Sequence, residues 1–196
     1  MDIFLQAWGG GLYLLNKILF SLAEGRPDSV RRRLKLGGWI VYLLGVPAWV
    51  IILLGKHDWI AAAIEAGGVP SMIFGLYTVY RHTETPNVVL DRLAWGFTYG
   101  SILVGLGYSL WDYGGITSLS QFLEMGVMTG FLMGSYLLAK DRSTGWLFFM
   151  VMNASMAALM GIQGKPLLAG QQLISLCFVV YGFKKAKAAV KAEPVL

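Results

Sequence analysis

The 196-residue sequence predicts an all-α membrane protein with seven transmembrane helices, arranged as two parallel three-helix repeats joined by a connector helix. Three observations predict it. The composition is 56% hydrophobic and 14% charged, with a mean hydropathy of +0.60, too little polar surface to coat a soluble globule. Seven apolar runs of spanning length follow one another along the chain. Two stretches also resemble each other at a fixed offset of 107 residues: Gly38 and Trp39 fall on Gly145 and Trp146, Ala62 on Ala169, Glu65 on Gln172 and Gly75 on Gly182. Upstream the offset is 118, where Phe4, Leu5 and Gln6 fall on Phe122, Leu123 and Glu124, so one connection in the first copy is longer by 11 residues. Parallel repeats with polar groups at matched depths are how several transporter folds build a substrate site between two halves.

The runs cover residues 3–22, 36–55, 59–80, 93–111, 116–139, 146–162 and 167–183. A helix crosses a ~30 Å hydrocarbon layer with roughly 20 residues, and ~17 suffice, so each run fits one span. Short pauses such as Lys56-His57-Asp58 and Gln163-Gly164-Lys165-Pro166 read as tight hairpins. The expected organisation is a first bundle over 1–81, a connector with its helix over 82–114, a second bundle over 115–184 and a tail over 185–196. Asp2 stands where a cleavable signal would carry a cationic start, so the first run reads as a retained span.

Basic residues orient the chain. Arg26, Arg31, Arg32, Arg33 and Lys35 follow the first run, Arg81 and Arg92 bracket the third connection, Lys140 and Arg142 follow the fifth run, and Lys184, Lys185, Lys187 and Lys191 form the tail. The alternate connections hold only Lys56 and Lys165. The positive-inside rule therefore puts the N-terminus outside and the tail in the cytoplasm, with the bacterial inner membrane as the expected location. The net charge of +5 is spread over these loops instead of forming one stripe, which excludes a nucleic-acid surface; Arg31 to Arg33 suit anionic lipid headgroups.

Enzymatic chemistry finds no support. His57 and His82 belong to connections on opposite faces, and no Cys, His or carboxylate group shows metal-ligand spacing. No cofactor is implied. The lone Cys177 lies within the seventh run and excludes an internal disulfide. Glycine clusters at 9–11, 67–68 and 114–115 lack the setting of a phosphate-binding loop and suit close helix packing instead.

Polar residues inside the spans carry the information, because a charge at the bilayer centre costs ~2.5 to 3.5 kcal/mol or more. Glu65 lies about six residues and Glu124 about eight from the same outer side, which at ~1.5 Å per residue puts them ~9 and ~12 Å deep. With their repeat mates Gln172 and Gln6 they form a quartet suited to a polar, and especially a cationic, ligand. A Glu-to-Gln bond that glues helices is the alternative. Trp146, Phe149 or Met150, and Asn153 share one face of the sixth run, as Trp39, Tyr42 and Val46 do on the second. An indole face with an amide at its edge suits a vitamin or nucleoside ring; both indoles also begin their spans, where interface belts sit. Trp8, Trp59 and Trp111 read as interface anchors, and Lys17 as a snorkelling side chain.

The stretch from Glu124 through Leu137-Leu138-Ala139-Lys140 to Trp146 and Asn153 resembles the nicotinamide riboside (PnuC-type) vitamin transporters. Gln172 with Gly182, and Glu65 with Gly75, match that family's closing helices. The resemblance runs from Phe4 to Phe183. It implies a fold similar to the SWEET sugar transporters, facilitated diffusion of a vitamin such as nicotinamide riboside, thiamine, riboflavin or a nucleoside, a cytosolic kinase that traps the product, and a homo-oligomer. Phe149 stands where the family often has a second Trp, and Glu65 where an amide is common. The substrate-binding residues expected on this basis are Glu65, Glu124, Gln172, Gln6, Trp146, Asn153 and Trp39. The rival readings are a SWEET-type sugar uniporter, a small-solute channel, and a scaffold or receptor that moves nothing.

Overall fold

The computed structural model describes residues 2–82 and 87–192. Met1, residues 83–86 of the third connection and residues 193–196 of the expected tail lie outside the described residues. Eight helices and no strand occur among those described: α1 (Asp2–Ala23), α2 (Asp28–Gly55), α3 (Trp59–Gly67), α4 (Val69–Arg81), α5 (Val88–Asp112), α6 (Leu119–Ala139), α7 (Gly145–Ile162) and α8 (Pro166–Ala192).

Five stretches are long and apolar enough to cross a membrane: α2, α3 with α4, α6, α7 and α8. α1 and α5 reach spanning lengths of 22 and 25 residues but fall outside that apolar set. Their polar residues explain it, with Gln6, Asn16, Lys17 and Ser21 in α1 and Asp91, Arg92, Thr98, Ser101, Ser109 and Asp112 in α5.

Local chemistry sets the ends. Asp58 accepts from the Ala61 N–H to start α3, and Asn87 accepts from Val89 and Leu90 to start α5. Ser118 accepts from the Gln121 N–H at the start of α6. The Gln121 amide then closes the α5–α6 turn by accepting from Thr117 N–H and donating to the Ser109 and Gly115 carbonyls. That turn passes through Gly114 and Gly115 at φ 68° and 131°, backbone that glycine adopts at no steric cost.

Three boundaries differ from the sequence expectation. α2 begins at Asp28, so Arg31, Arg32 and Arg33 lie on its first turns instead of in a loop. α8 continues to Ala192, past the expected start of the tail. The third run is interrupted at Gly68, giving α3 and α4. Pro70 has no N–H to return to the Ala66 carbonyl, and Gly67 and Gly68 are weak helix formers beside it. The repeat-equivalent positions Ile174, Ser175 and Cys177 contain neither proline nor glycine, and α8 runs through.

α1 packs on α2 and α8, α2 on α3 and α4, α4 on α6, α6 on α7 and α7 on α8, while α5 lies against α3, α4 and α6. The adjacencies around this ring map onto themselves when α1, α2 and α4 are exchanged for α6, α7 and α8. At the contacts that repeat, glycine faces a large ring or branch. Gly38 meets Phe20, and its mate Gly145 meets Leu138, the equivalent of Phe20. Gly75 receives the indole of Trp39, and Gly182 that of Trp146, which are 1% and 0% exposed. Small residues let helix axes approach, and in a bilayer such packing, not water exclusion, holds helices together.

A Cβ added at Gly182 would sit 2.7 Å from the Trp146 ring, whereas one at Gly170 meets nothing within 4 Å. Gly182→Ala should therefore lower the thermal stability of the detergent-solubilised protein by about 1–3 kcal/mol through overpacking. Gly170→Ala should be neutral or stabilising by about 0.5–1 kcal/mol. Parallel melting curves of the two variants check the contrast.

Candidate functional site

The interior polar groups gather round Tyr42 of α2, which is fully buried where the helix triplets meet. Its ring takes Tyr13 edge-on at 4.8 Å between centroids, Trp39 stacked at 6.3 Å, and Phe131 and Phe149 from the second triplet at 6.1 and 6.4 Å. The Tyr42 hydroxyl and Ser135 Oγ lie 3.2 Å apart. Tyr13 donates its hydroxyl proton to Glu65 Oε1. Lys17 Nζ stands 4.2 Å from the Tyr42 ring centre and 3.6 Å from that of Phe149, and donates to Asn16 Oδ1 at 3.0 Å. The Asn16 amide in turn donates to the Gly38 carbonyl at 3.0 Å. Asn153, fully buried, donates to the Phe149 carbonyl at 2.7 Å and leaves Oδ1 without a protein partner.

These residues are repeat mates. At the two offsets Tyr13 pairs with Phe131, Lys17 with Ser135, Tyr42 with Phe149 and Val46 with Asn153. Each pair contributes at the junction, so the cluster lies where the two copies face each other. Its lysine and its carboxyl, Lys17 and Glu65, both come from the first copy, with no ion pair inside 4.0 Å between them among the described residues.

Of the residues expected from the sequence, Glu65, Trp39 and Asn153 belong to this cluster. Trp146 is buried in the same core, its indole N–H unpartnered. Gln6 and Gln172 are half-buried, Glu124 is exposed, and none of the three hydrogen bonds to the others or to Glu65 in the described structure. Lys17 corrects the expectation of a snorkelling side chain: at 1% exposed it turns inward onto two rings. Tyr13, Lys17 and Ser135 were missed as site residues. The signal available was the polar pair Lys17 and Ser135 at offset 118, one turn beyond the aromatic pair Tyr13 and Phe131.

Two voids lie apart from the cluster's polar groups. One of about 10 Å³, room for a single water, lies among Phe20, Glu24, Lys35, Trp39, Leu138 and Trp146. An open groove of about 520 Å³ runs between α3 and α5, outside the junction, with Gly96 and Gly100 on its α5 wall.

The helix ends beyond the small void carry the charge. Arg31 and Lys35 of α2 both reach Asp141 after α6, the first at 2.8 Å, and Lys35 also lies 3.5 Å from Glu24. Lys140 binds Asp91 at 2.8 Å, fixing α5 to the end of α6, and Arg32 donates to the Val79 and Tyr80 carbonyls at the end of α4. The connections rich in cations in the sequence thus meet at one end of the molecule. Partial burial pushes the Asp141 carboxyl up, but Lys35 and Arg31 outweigh it and hold it below the ordinary carboxylate range.

Comparison of the chain with known protein families, with curated proteins and with solved structures finds no match.

A depressed carboxyl stabilises the fold above its unfolded pKa and loses that contribution as pH falls through the folded value. Asp141→Asn, which keeps a residue tolerant of the left-handed φ of 55°, should cost up to about 1 kcal/mol at pH 7, a gap that shrinks as pH falls through and below the ordinary carboxylate range. Melting curves of both proteins across that range check it; an unchanged gap would contradict the charge assignment.

Proposed function

We propose that the protein is a seven-span membrane transporter of 3+1+3 design that moves a vitamin or nucleoside-like molecule by facilitated diffusion and alternating access. In this reading α1 to α4 and α6 to α8 are the two bundles, α5 is the connector, the N-terminus faces outward and the charged end faces the cytoplasm. Supporting it are the self-mapping helix adjacencies and the sequence resemblance to nicotinamide riboside transporters. The observation that carries it is the cluster itself: half-buried Glu65, fully buried Lys17 and an unpartnered Asn153 oxygen, held among aromatic faces. Polar groups kept at such depth mark substrate pathways far more often than they serve packing. Aromatic faces would hold a flat ring and the amide would read its edge.

Lys17 changes the charge argument. Glu65 is not a lone anion, so a cationic ligand is favoured only if it takes the place of the lysine, and a neutral nucleoside is compatible with the pair as it stands. Glu124, Gln6 and Gln172 belong on the access route instead of in the pocket.

Counterflow in proteoliposomes with labelled nicotinamide riboside, thiamine, riboflavin and thymidine tests the proposal. Saturable exchange is expected for at least one of the four. Glu65→Gln should weaken it about tenfold or more, the loss of one charge-assisted hydrogen bond of ~1.5–3 kcal/mol. No saturable exchange of any of them by the wild-type protein overturns the reading.

A further inference from the structure

Lys17 is the one fully buried cation among the described residues, and its own side chain fills the space between the rings it faces. An ammonium has three N–H donors, and here one is used, toward Asn16. The rest of its head faces the rings of Tyr42 and Phe149 at 4.2 and 3.6 Å. Two π faces with a nearby carboxylate are how proteins recognise organic cations. The carboxylate is Glu65, reached through Tyr13, which packs on the same Tyr42 ring. At the far side of Phe149 the unpartnered Asn153 oxygen can accept an N–H from a ring edge.

We propose that Lys17 is a tethered counter-cation that holds this aromatic cage between transport events, and that a ligand with a delocalised cationic ring, of the pyridinium or thiazolium class, displaces it. The inference rests on the transport reading. Its logic is charge conservation in a poor dielectric. With Lys17 in place Glu65 is compensated, so the bundles can reorient without carrying a naked charge. With the ligand in place the ligand supplies the same positive charge, and Lys17, displaced along α1 beside its acceptor Asn16, gives its ammonium proton up to solvent so that the loaded cluster keeps the same net charge. The repeat comparison supports treating the two residues as a unit: their mates Ser135 and Gln172 are both neutral, so the first copy holds both charges and the second holds neither.

The test compares wild type, Lys17→Met, Glu65→Gln and the double variant, purified in detergent. A cage left open about one-tenth of the time binds about tenfold more weakly than one always open. Lys17→Met should therefore bind thiamine or nicotinamide riboside about tenfold more tightly than wild type, with thymidine binding unchanged. In proteoliposomes it should retain exchange of that cation yet lose net uptake into cation-free vesicles, because the return step now carries bare Glu65. The double variant should lose the gain in affinity and melt higher than Lys17→Met alone, which keeps the pairing measurable even if the single variant folds poorly. Equal tightening for thymidine, or melting temperatures whose changes simply add, overturns the counter-cation role while leaving wild-type counterflow intact. Failure of every form to bind or exchange any of the probes overturns displacement and the transport reading together.

Discussion

The interior is organised by two indoles lying on two glycines. Trp39 on Gly75 joins α2 to α4, and Trp146 on Gly182 joins α7 to α8. Each indole fills the space that a side chain on the facing helix would need, and each is closed behind by a second glycine contact, Gly38 against Phe20 and Gly145 against Leu138. With lipid as the alternative surroundings, burying these rings gains little by excluding water, so close shape fit must hold the helices. That fit fixes the spacing of the middle helices, α2 and α7. It thereby sets Tyr42 and Phe149 side by side, and the polar cluster hangs on that pair.

The helical content and the presence of helices apolar enough to span a membrane were legible in the sequence, because hydrophobic run length is a one-dimensional property. The Gly and Trp matches marked the right positions but not their purpose. An indole at a span end and an indole on a glycine across a helix pair read alike until the partner helix is placed. The inward turn of Lys17 was hidden for a related reason. A lysine six residues from the end of a run has a stem long enough to snorkel, and only the rings of Tyr42 and Phe149, contributed by other helices, give it a better place. The break at Gly68 was partly legible, since Pro70 forbids one helical bond; that it would divide the element depended on the two glycines beside it.

The two acids expected to act alike have different surroundings. Glu65 is held by Tyr13, whereas Glu124 is exposed and Gln6, its mate, is only half-buried. Matched position along the sequence does not imply matched environment, because α3 and α6 meet different neighbours. α6 enters from the Gln121-closed turn with α5, which gives the end of α6 near Glu124 contacts that the cluster round Tyr42 does not share.

The same asymmetry explains why the charged pair belongs to the first copy. Glu65 stands in the last turn of α3, the end of a helix whose dipole disfavours an anion. Pro70 adds to this by leaving the Ala66 carbonyl without its usual donor. A carboxylate at that point needs a donor and a cation more than one in mid-helix would, and Tyr13 and Lys17 supply them from α1. In α8 the corresponding residue, Gln172, is neutral and lies in an unbroken helix. The helix interruption at Gly68, the acid, the phenol and the lysine thus all fall in the same half of the chain, and the acid takes its hydrogen bond from the phenol of α1.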